Sequence, residues 1–555
     1  MSRSETRKNL RRGHITVPEK YQVAPIAWRD GLDYEELNKG SESFKWWLSC
    51  LGFLRVFANA DQLSEDDEEV CLAIISDWFA HNPQTSPAIS RAWDAHAVAY
   101  RTDSLIDIAE RVSNSTWLDE LLEEHKAFLA LEDNFQGNWN HGVDQAKSLI
   151  NVAERLKDAS AQQIGLTRLE GAMLSIVDDE GVTIEQAVHY DYFNYQQLDK
   201  CISYLDGHPG AENTIARLRE RMQKMPDFLA HATRPDGTWF EIGDTPIEPA
   251  GSIPGTIAEY AATQGANGPR PDETVRTFSA GYIFGRSGWG ESREFAEESA
   301  YSIRFGPGRL IHGHADNLSL RFVSRGIEII KDGGFHGYTD DENRAFLRSQ
   351  AAHSTIIASR GRKKSTTKPS ELTFSRIEPQ WQSFTINANP FEHTYVTRSI
   401  YIEFDPDIVV VWDRLRSRSR TPFEQRWIIN PEFRLTQRRD AVTGIGPTPF
   451  VATQHLRVPF RGQSSGVINA NETDAPLGAT ETLIELTRNG LIQHKQTGLT
   501  GEFLTVFEFG TEEPNVRFTS RRTGLAAASR HLVGVRQASF LDLDGNTGLV
   551  PRSAK

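Results

Sequence analysis

Between Ser43 and Leu205 the apolar residues recur at the spacing of an α-helix. Phe44, Trp47, Leu48, Leu51, Leu54 and Phe57 fall at i, i+3, i+4, i+7, i+10 and i+13, which predicts one buried stripe. Similar segments follow at about 68–81, 90–112, 117–131, 143–157, 161–178 and 185–205, separated by short polar breaks such as HNPQTSP and LEDNFQG. Strand-like alternation is nearly absent from this half. Consecutive helices joined by short loops predict antiparallel hairpins, stacked as a solenoid or closed into a toroid.

The pattern changes after Gly243–Pro271, a stretch rich in Gly and Pro that reads as an interdomain connection. Beyond it the period is two. YSIRF, LSLRFVS, IEIIKD, STIIAS, FTINA, TRSIYIEF, DIVVVWD, RWIIN and LTVFEFG are short runs rich in β-branched residues with turn residues between them. Many strands without intervening helices predict a large antiparallel sandwich. The expected organisation is an N-terminal extension over 1–40, a helical domain over 41–270 and an antiparallel β-sandwich domain over 271–550.

Composition narrows the class. A chain of 555 residues suits two large domains or three small ones, and 38% hydrophobic with 25% charged residues argues against disorder, collagen and coiled coil. The net charge of −14 disfavours a surface that tracks nucleic acid or heavily sulfated polymers throughout, while leaving room for a local basic groove. No apolar window is long enough for a membrane helix, and the basic start MSRSETRKNLRRGHITVPEK has no apolar segment behind it, so the expectation is a cytoplasmic protein, or a periplasmic one if a leader was removed. Cys50, Cys71 and Cys201 lack CxxC spacing and fit buried thiols. The terminal GLVPRSAK resembles a protease-tag remnant and is set aside from fold reasoning.

Histidine is the informative residue. Four of the 16 (His312, His314, His336 and His353) fall between residues 312 and 353, several times their even share. On a regular strand His312 and His314 would share a face, unless Gly313 bends the chain. Asp332, ending the next strand, and His353, opening another, could meet one of them across adjacent strands, and two imidazoles with one carboxylate suit zinc. The plainer alternative is a set of hydrogen-bonded core or surface histidines. In the helical half, Asn138-Trp139-Asn140-His141 occupies a polar break just before a helix. Neutral donors at the positive end of a helix dipole suit a ligand carboxylate, whereas the bland reading is an Asn cap with an exposed His. Glu185–Tyr195 carries Tyr190, Tyr192 and Tyr195; the last two read as core aromatics, and Tyr190 does not. The Gly/Asp turn from Arg234 to Asp244 reads as structural. There is no GxGxxG, GxxxxGK[ST] or GxSxG loop, so nucleotide binding and serine hydrolysis lack their usual motifs.

In order along the chain, these motifs are Asn140-His141 before a helix, E-x-A-x-x-Y ending at Tyr190, RPDGTxxxIGDT, HGHADNLS, KDGGFHGY and RSQAAHST. This order resembles the heparinase II/III-like polysaccharide lyases over roughly residues 90–450. The resemblance implies an α+β multidomain fold, an N-terminal incomplete (α/α) toroid followed by a C-terminal antiparallel β-sandwich, with the active site in a cleft between them. It implies that His312 is the active-site histidine, that Tyr190 is the catalytic tyrosine, and that Asn140 and His141 bind and neutralise a uronate carboxylate. His314, Asp332 and His353 would hold one structural zinc. Tyr338, Arg348 and Asn138 would contact substrate. The family usually has Ser where this chain has Ala187.

The implied chemistry is β-elimination. The C5 proton of a uronate becomes removable when its carboxylate charge is neutralised, and a 4,5-unsaturated product follows. Tyrosine with its ordinary pKa of ~10 is a poor base, so serving as one would require surroundings that favour phenolate. Two other readings stand beside the lyase: a uronyl C5-epimerase on the same fold, and a non-catalytic glycan-binding scaffold. The expected partner is a uronate-containing oligo- or polysaccharide, with neither nucleic acid nor membrane, and self-association is left open.

Overall fold

The computed structural model describes residues 3–58, 63–137, 140–208, 210–307, 311–338, 341–358, 370–439, 441–454, 463–481, 485–514, 516–521, 524–529 and 538–540. By contact the chain divides into two compact units, residues 1–176 with 202–218 and residues 177–201 with 219–555.

The first unit is helical where the periodicity predicts it. Its main helices are Glu65–His81, Ala95–Ala109, Thr116–Ala130, Asn140–Arg155 and Ala159–Ile176. Their starts follow from local chemistry: the Ser64 side chain accepts from the Asp67 N–H ahead of a first turn holding Glu65, Asp66, Asp67 and Glu68, which suits the positive end of the dipole. Asp94 caps the next helix by accepting from the backbone of His96 and Ala97. Val70, Ile74, Ile75 and Trp78 then face the helical core.

One predicted helix is broken. The stripe from Phe44 to Phe57 is buried, but it belongs to the helix Glu42–Ser49 and a separate 3-10 turn, Gly52–Phe57, with Leu51 left-handed between them at φ 49°. Carbonyls freed at the break find buried donors: Arg101 Nη1 donates to Ser49 O (2.9 Å) and Ser104 Oγ to Cys50 O (3.4 Å).

Among the described residues the second unit holds a fifteen-stranded sheet of antiparallel pairs, running from 275–278 at one edge to 434–438 at the other. Every predicted strand lies in it or overlaps it. Two long strands, Ile408–Ile429 and Gly490–Phe509, form its spine and pair with each other on both sides of a register shift between Arg416 and Thr421. Val409, Val411, Phe423, Trp427, Phe503 and Phe507 project from that spine into the apolar core. A buried Arg398–Asp413 ion pair is bidentate, at 2.7 Å through both nitrogens.

Gly243–Pro271 is not a linker. It lies within the second unit, contains the helix Ile257–Ala262, and begins with Asp244 and Thr245, both fully buried. Its Gly and Pro residues serve close packing: a Cβ on Gly251, for example, would run into the Tyr192 ring. Cys50, Cys71 and Cys201 are buried thiols, as expected. Among the described residues no helix is long and apolar enough to cross a membrane.

Candidate active site

Three chain segments are stitched together by main-chain bonds. Asp244 N donates to His312 O (2.9 Å), and His312 N donates to Glu185 O (3.2 Å). Gly243 lies at the crossing with φ +60°, and any Cβ there would collide with the carbonyl oxygens of Gln186 and His312. Only glycine meets both demands. All three segments belong to the second unit.

The side chains converge on Asp244. Its Oδ2 accepts from His312 Nδ1 (3.0 Å) and from Arg344 Nη2 (2.8 Å), and its Oδ1 accepts from His314 Nε2 (3.1 Å). Burial alone would raise this carboxyl, but hydrogen bonds from His312 and His314, joined by Arg344, outweigh it and hold Asp244 well below the usual carboxylate range. An ionised carboxylate only accepts, so His312 carries its hydrogen on Nδ1 and His314 on Nε2. Gly313 and the irregular backbone between them let the two rings reach opposite oxygens of one carboxylate, rather than share the face of a strand.

The other nitrogen of His312, Nε2, lies 3.3 Å from Glu185 Oε2. Burial pushes the Glu185 carboxyl up, against the pull of Asn194 and His312. The His312 ring stacks on Tyr190, with centroids 3.6 Å apart and planes 10° apart. The Tyr190 hydroxyl bonds to that of Tyr338 at 2.5 Å. Burial, then the Tyr338 hydroxyl and the carboxylates of Glu185 and Asp244, push the Tyr190 phenol far above its ordinary value. These surroundings disfavour a phenolate, so the neutral phenol is the favoured form of Tyr190. Tyr338 is 57% exposed and packs on the edge of His312 and against the Arg344 guanidinium.

His314, Asp332 and His353 are buried neighbours, each already engaged. Asp332 accepts from Ser319 Oγ (3.1 Å) and Ser354 N (2.8 Å), and His353 Nδ1 donates to Ser349 O (2.7 Å). The His314 and His353 rings are perpendicular with centroids 5.5 Å apart. Burial pulls the His314 imidazole down to about 4, against the hydrogen bond to Asp244. Among the described residues no group of three or more His, Cys, Asp or Glu side chains is arranged to hold a metal ion. The donor chemistry of the pair nonetheless fits one, because committed hydrogens leave His314 Nδ1 and His353 Nε2 as lone-pair nitrogens.

The carboxylate-binding candidates lie in the first unit. Asn138 falls outside the described residues. Asn140 opens its helix instead of preceding it, and its side chain also falls outside the described residues. His141 stacks on His96 with centroids 3.8 Å apart, and its Nδ1 is 3.0 Å from Gln136 Oε1. Burial, then the neighbouring His96, lower its pKa. His96 Nε2 in turn meets Asp144 at 2.9 Å. Arg348 donates to the carbonyls of Ile311 (2.7 Å) and Gly313 (3.4 Å), bracing the loop on either side of His312. Tyr192 and Tyr195 pack on an apolar cluster with Val188 and Trp239, as expected of core aromatics.

Sequence reasoning missed the hub. Asp244 reads as a turn residue, and its partners lie 68, 70 and 100 residues away. Its place in the IGDT motif was the available signal. Glu185 was in view only as the first letter of E-x-A-x-x-Y, and Arg344 carried no signal at all.

Residues 299–500 match the family described as Heparinase II/III-like, C-terminal. The fold is shared with solved lyases. Heparan sulfate lyase HepC of Pedobacter heparinus aligns at 14% identity over 97% of this chain and 89% of that one, with a TM-score of 0.72. A heparinase III aligns at 15% identity over the same shares, with a TM-score of 0.73. A chondroitinase AC lyase aligns at 9% identity over 98% of this chain and 90% of that one, with a TM-score of 0.50. The architecture is thus the toroid followed by a β-sandwich. No curated protein matches the chain in sequence.

Proposed function

We propose that the protein is a polysaccharide lyase that cleaves a uronate-containing glycosaminoglycan by β-elimination. The observation that carries this is the stacked pair of Tyr190 and His312, one a retained proton donor and the other anchored through Nδ1 on ionised Asp244. His312 Nε2 takes the C5 proton once substrate displaces Glu185. The electron pair of that C–H bond forms the C4–C5 double bond, the bond from C4 to the glycosidic oxygen breaks, and Tyr190 protonates the leaving oxygen. Asn140 and His141 are assigned to the uronate carboxylate on the motif resemblance, with Tyr338, Arg348 and Asn138 as further substrate contacts. HepC, named as a heparan sulfate lyase, and the chondroitinase support the substrate class. A screen of heparan sulfate, chondroitin, hyaluronan and alginate oligomers for new absorbance from a 4,5-unsaturated end tests the proposal. Proton exchange at C5 without scission would instead mark an epimerase, and silence on every substrate would defeat both.

We also infer one structural zinc per chain, held by His314, Asp332 and His353, whose donor types suit it. Elimination needs no metal-bound hydroxide, so the ion would brace the His312 loop and take no chemical part. Elemental analysis of purified protein should find about one zinc per chain. His353→Ala should lose it and melt earlier, whereas a fully stable metal-free preparation would refute the assignment.

A further inference from the structure

The strand Ile408–Ile429 contains Arg414-Leu415-Arg416-Ser417-Arg418-Ser419-Arg420. Val409, Val411, Leu415, Phe423 and Trp427 face the sandwich core. The alternate positions begin as buried Ile408, Val410 and Trp412, and then change to arginine where the strand opens to solvent; Arg416, Arg418 and Arg420 are exposed. The ladder explains the opening. Pairing with Gly490–Phe509 stops at Arg416 and resumes at Thr421, and pairing with Thr394–Glu403 ends at Ser417. Arg418, Ser419 and Arg420 therefore stand clear of both neighbouring strands, tethered by the bond from Arg418 N to His393 O (3.2 Å).

The chain bulges between Arg416 and Thr421, where the Ser417 and Thr421 hydroxyls bond to each other at 3.1 Å, so the three arginines share one exposed bulge and their like charges repel one another. Among the described residues no carboxylate pairs with Arg416, Arg418 or Arg420. Carboxylates on the flanking segments have other partners. Glu424 meets Arg426 (3.1 Å) and Lys495 (3.7 Å), Glu392 meets His393 (3.5 Å), and Glu502 accepts from the Trp412 indole (2.9 Å). Tyr395 lies directly opposite Arg416 on the adjacent strand and is 54% exposed. In a chain of net charge −14 this is a local concentration of positive charge beside an open aromatic ring. Guanidinium forks grip sulfate and carboxylate groups, and an aromatic face packs on a sugar ring.

We propose that this stripe binds the chain of an anionic polysaccharide as a contact additional to the reacting bond. It rests on the lyase reading only in naming a sugar polymer as the partner. It makes polymer capture separable from chemistry: long substrates gain from the stripe, and oligomers too short to leave the active site do not.

The test uses the full-length protein and a variant carrying Arg416→Ser, Arg418→Ser and Arg420→Ser together. Binding to immobilised chondroitin sulfate and heparan sulfate is measured at about 50 and 200 mM salt, with dextran and duplex DNA as controls. The variant should bind the sulfated polymer at least tenfold more weakly with a shallower salt dependence, and should turn over a tetrasaccharide at the wild-type rate. Equal polymer affinity for variant and wild type would overturn the proposal, as would tighter wild-type binding to DNA than to every polysaccharide. If wild type cleaves no tetrasaccharide, the lyase reading fails, yet weaker polymer binding by the variant would still support the stripe.

Discussion

His312, in the second unit, lies between the carboxylates of Asp244 and Glu185; His141, in the first, stacks on a second imidazole and meets the Gln136 amide. The segments around His312 are brought together from residues 185, 244, 312 and 338–344, whereas those around His141 come from residues 96, 136 and 144 on a helix, a loop and its own helix. Anionic surroundings assembled over long sequence separations keep protons in place for transfer. The His141 imidazole at a helix start is lowered because burial and the neighbouring His96 outweigh Asp94 and Asp144, and a neutral imidazole there suits recognition of charge. On the function proposed above, proton transfer belongs to residues of the second unit and carboxylate recognition to residues of the first.

The largest expected effect is at Tyr190. Tyr190→Phe deletes the oxygen that moves the proton, and kcat should fall by about 100- to 10,000-fold with the melting temperature little changed. A core tyrosine would give the reverse pattern, loss of stability with turnover retained. Next is Asn140→Ala, which should cost about 100- to 1,000-fold, mainly in kcat because the carboxylate charge grows as C5 loses its proton. A change in KM alone would return Asn140 to the role of a helix-start residue and remove the first unit from the chemistry. Asp244→Asn should cost about 10- to 100-fold in activity and also lower the melting temperature, since His312, His314 and Arg344 lose one ionised partner together. Wild-type activity in that variant would show that the hub is dispensable.

The smallest effect concerns pH. Tyr190 acts in its neutral form, and its surroundings push its pKa upward, so that form persists as pH rises through the ordinary tyrosine value of about 10. A pH–rate profile should therefore show no alkaline loss attributable to Tyr190 below that value. An alkaline limb near neutrality that disappears in Tyr190→Phe residual activity would mean that the phenol ionises far more readily than its burial implies.

Both periods were legible where regular elements bury one face: the helix Thr116–Ala130 buries Leu118, Leu121, Leu122 and His125 at i, i+3, i+4 and i+7, and the strand Ile408–Ile429 alternates buried and half-buried residues from Phe423 to Trp427. The break at Leu51 was not, because it depends on Arg101 and Ser104 taking carbonyls from another helix. The histidine density announced a site, and the motif order supplied Tyr190. Asp244 stayed hidden for a physical reason: an aspartate after a glycine is the ordinary composition of a turn, and only the folded chain shows two imidazoles and a guanidinium directed at it. The reading of Gly243–Pro271 as a linker failed in the same way, since Gly and Pro mark close packing as readily as exposure.

Gly243 sets a hard lower limit on how this site is assembled. With the carbonyl oxygens of Gln186 and His312 both crowding the space that a side chain at 243 would need, the segment before the Tyr190 helix and the His312 loop close directly on its backbone. A single methyl group at 243 would act as a wedge driven into a closed joint, moving the Tyr190 and His312 rings apart. Retuning what the enzyme accepts must therefore come from the open rim at Tyr338, because the inner wall has no slack to give.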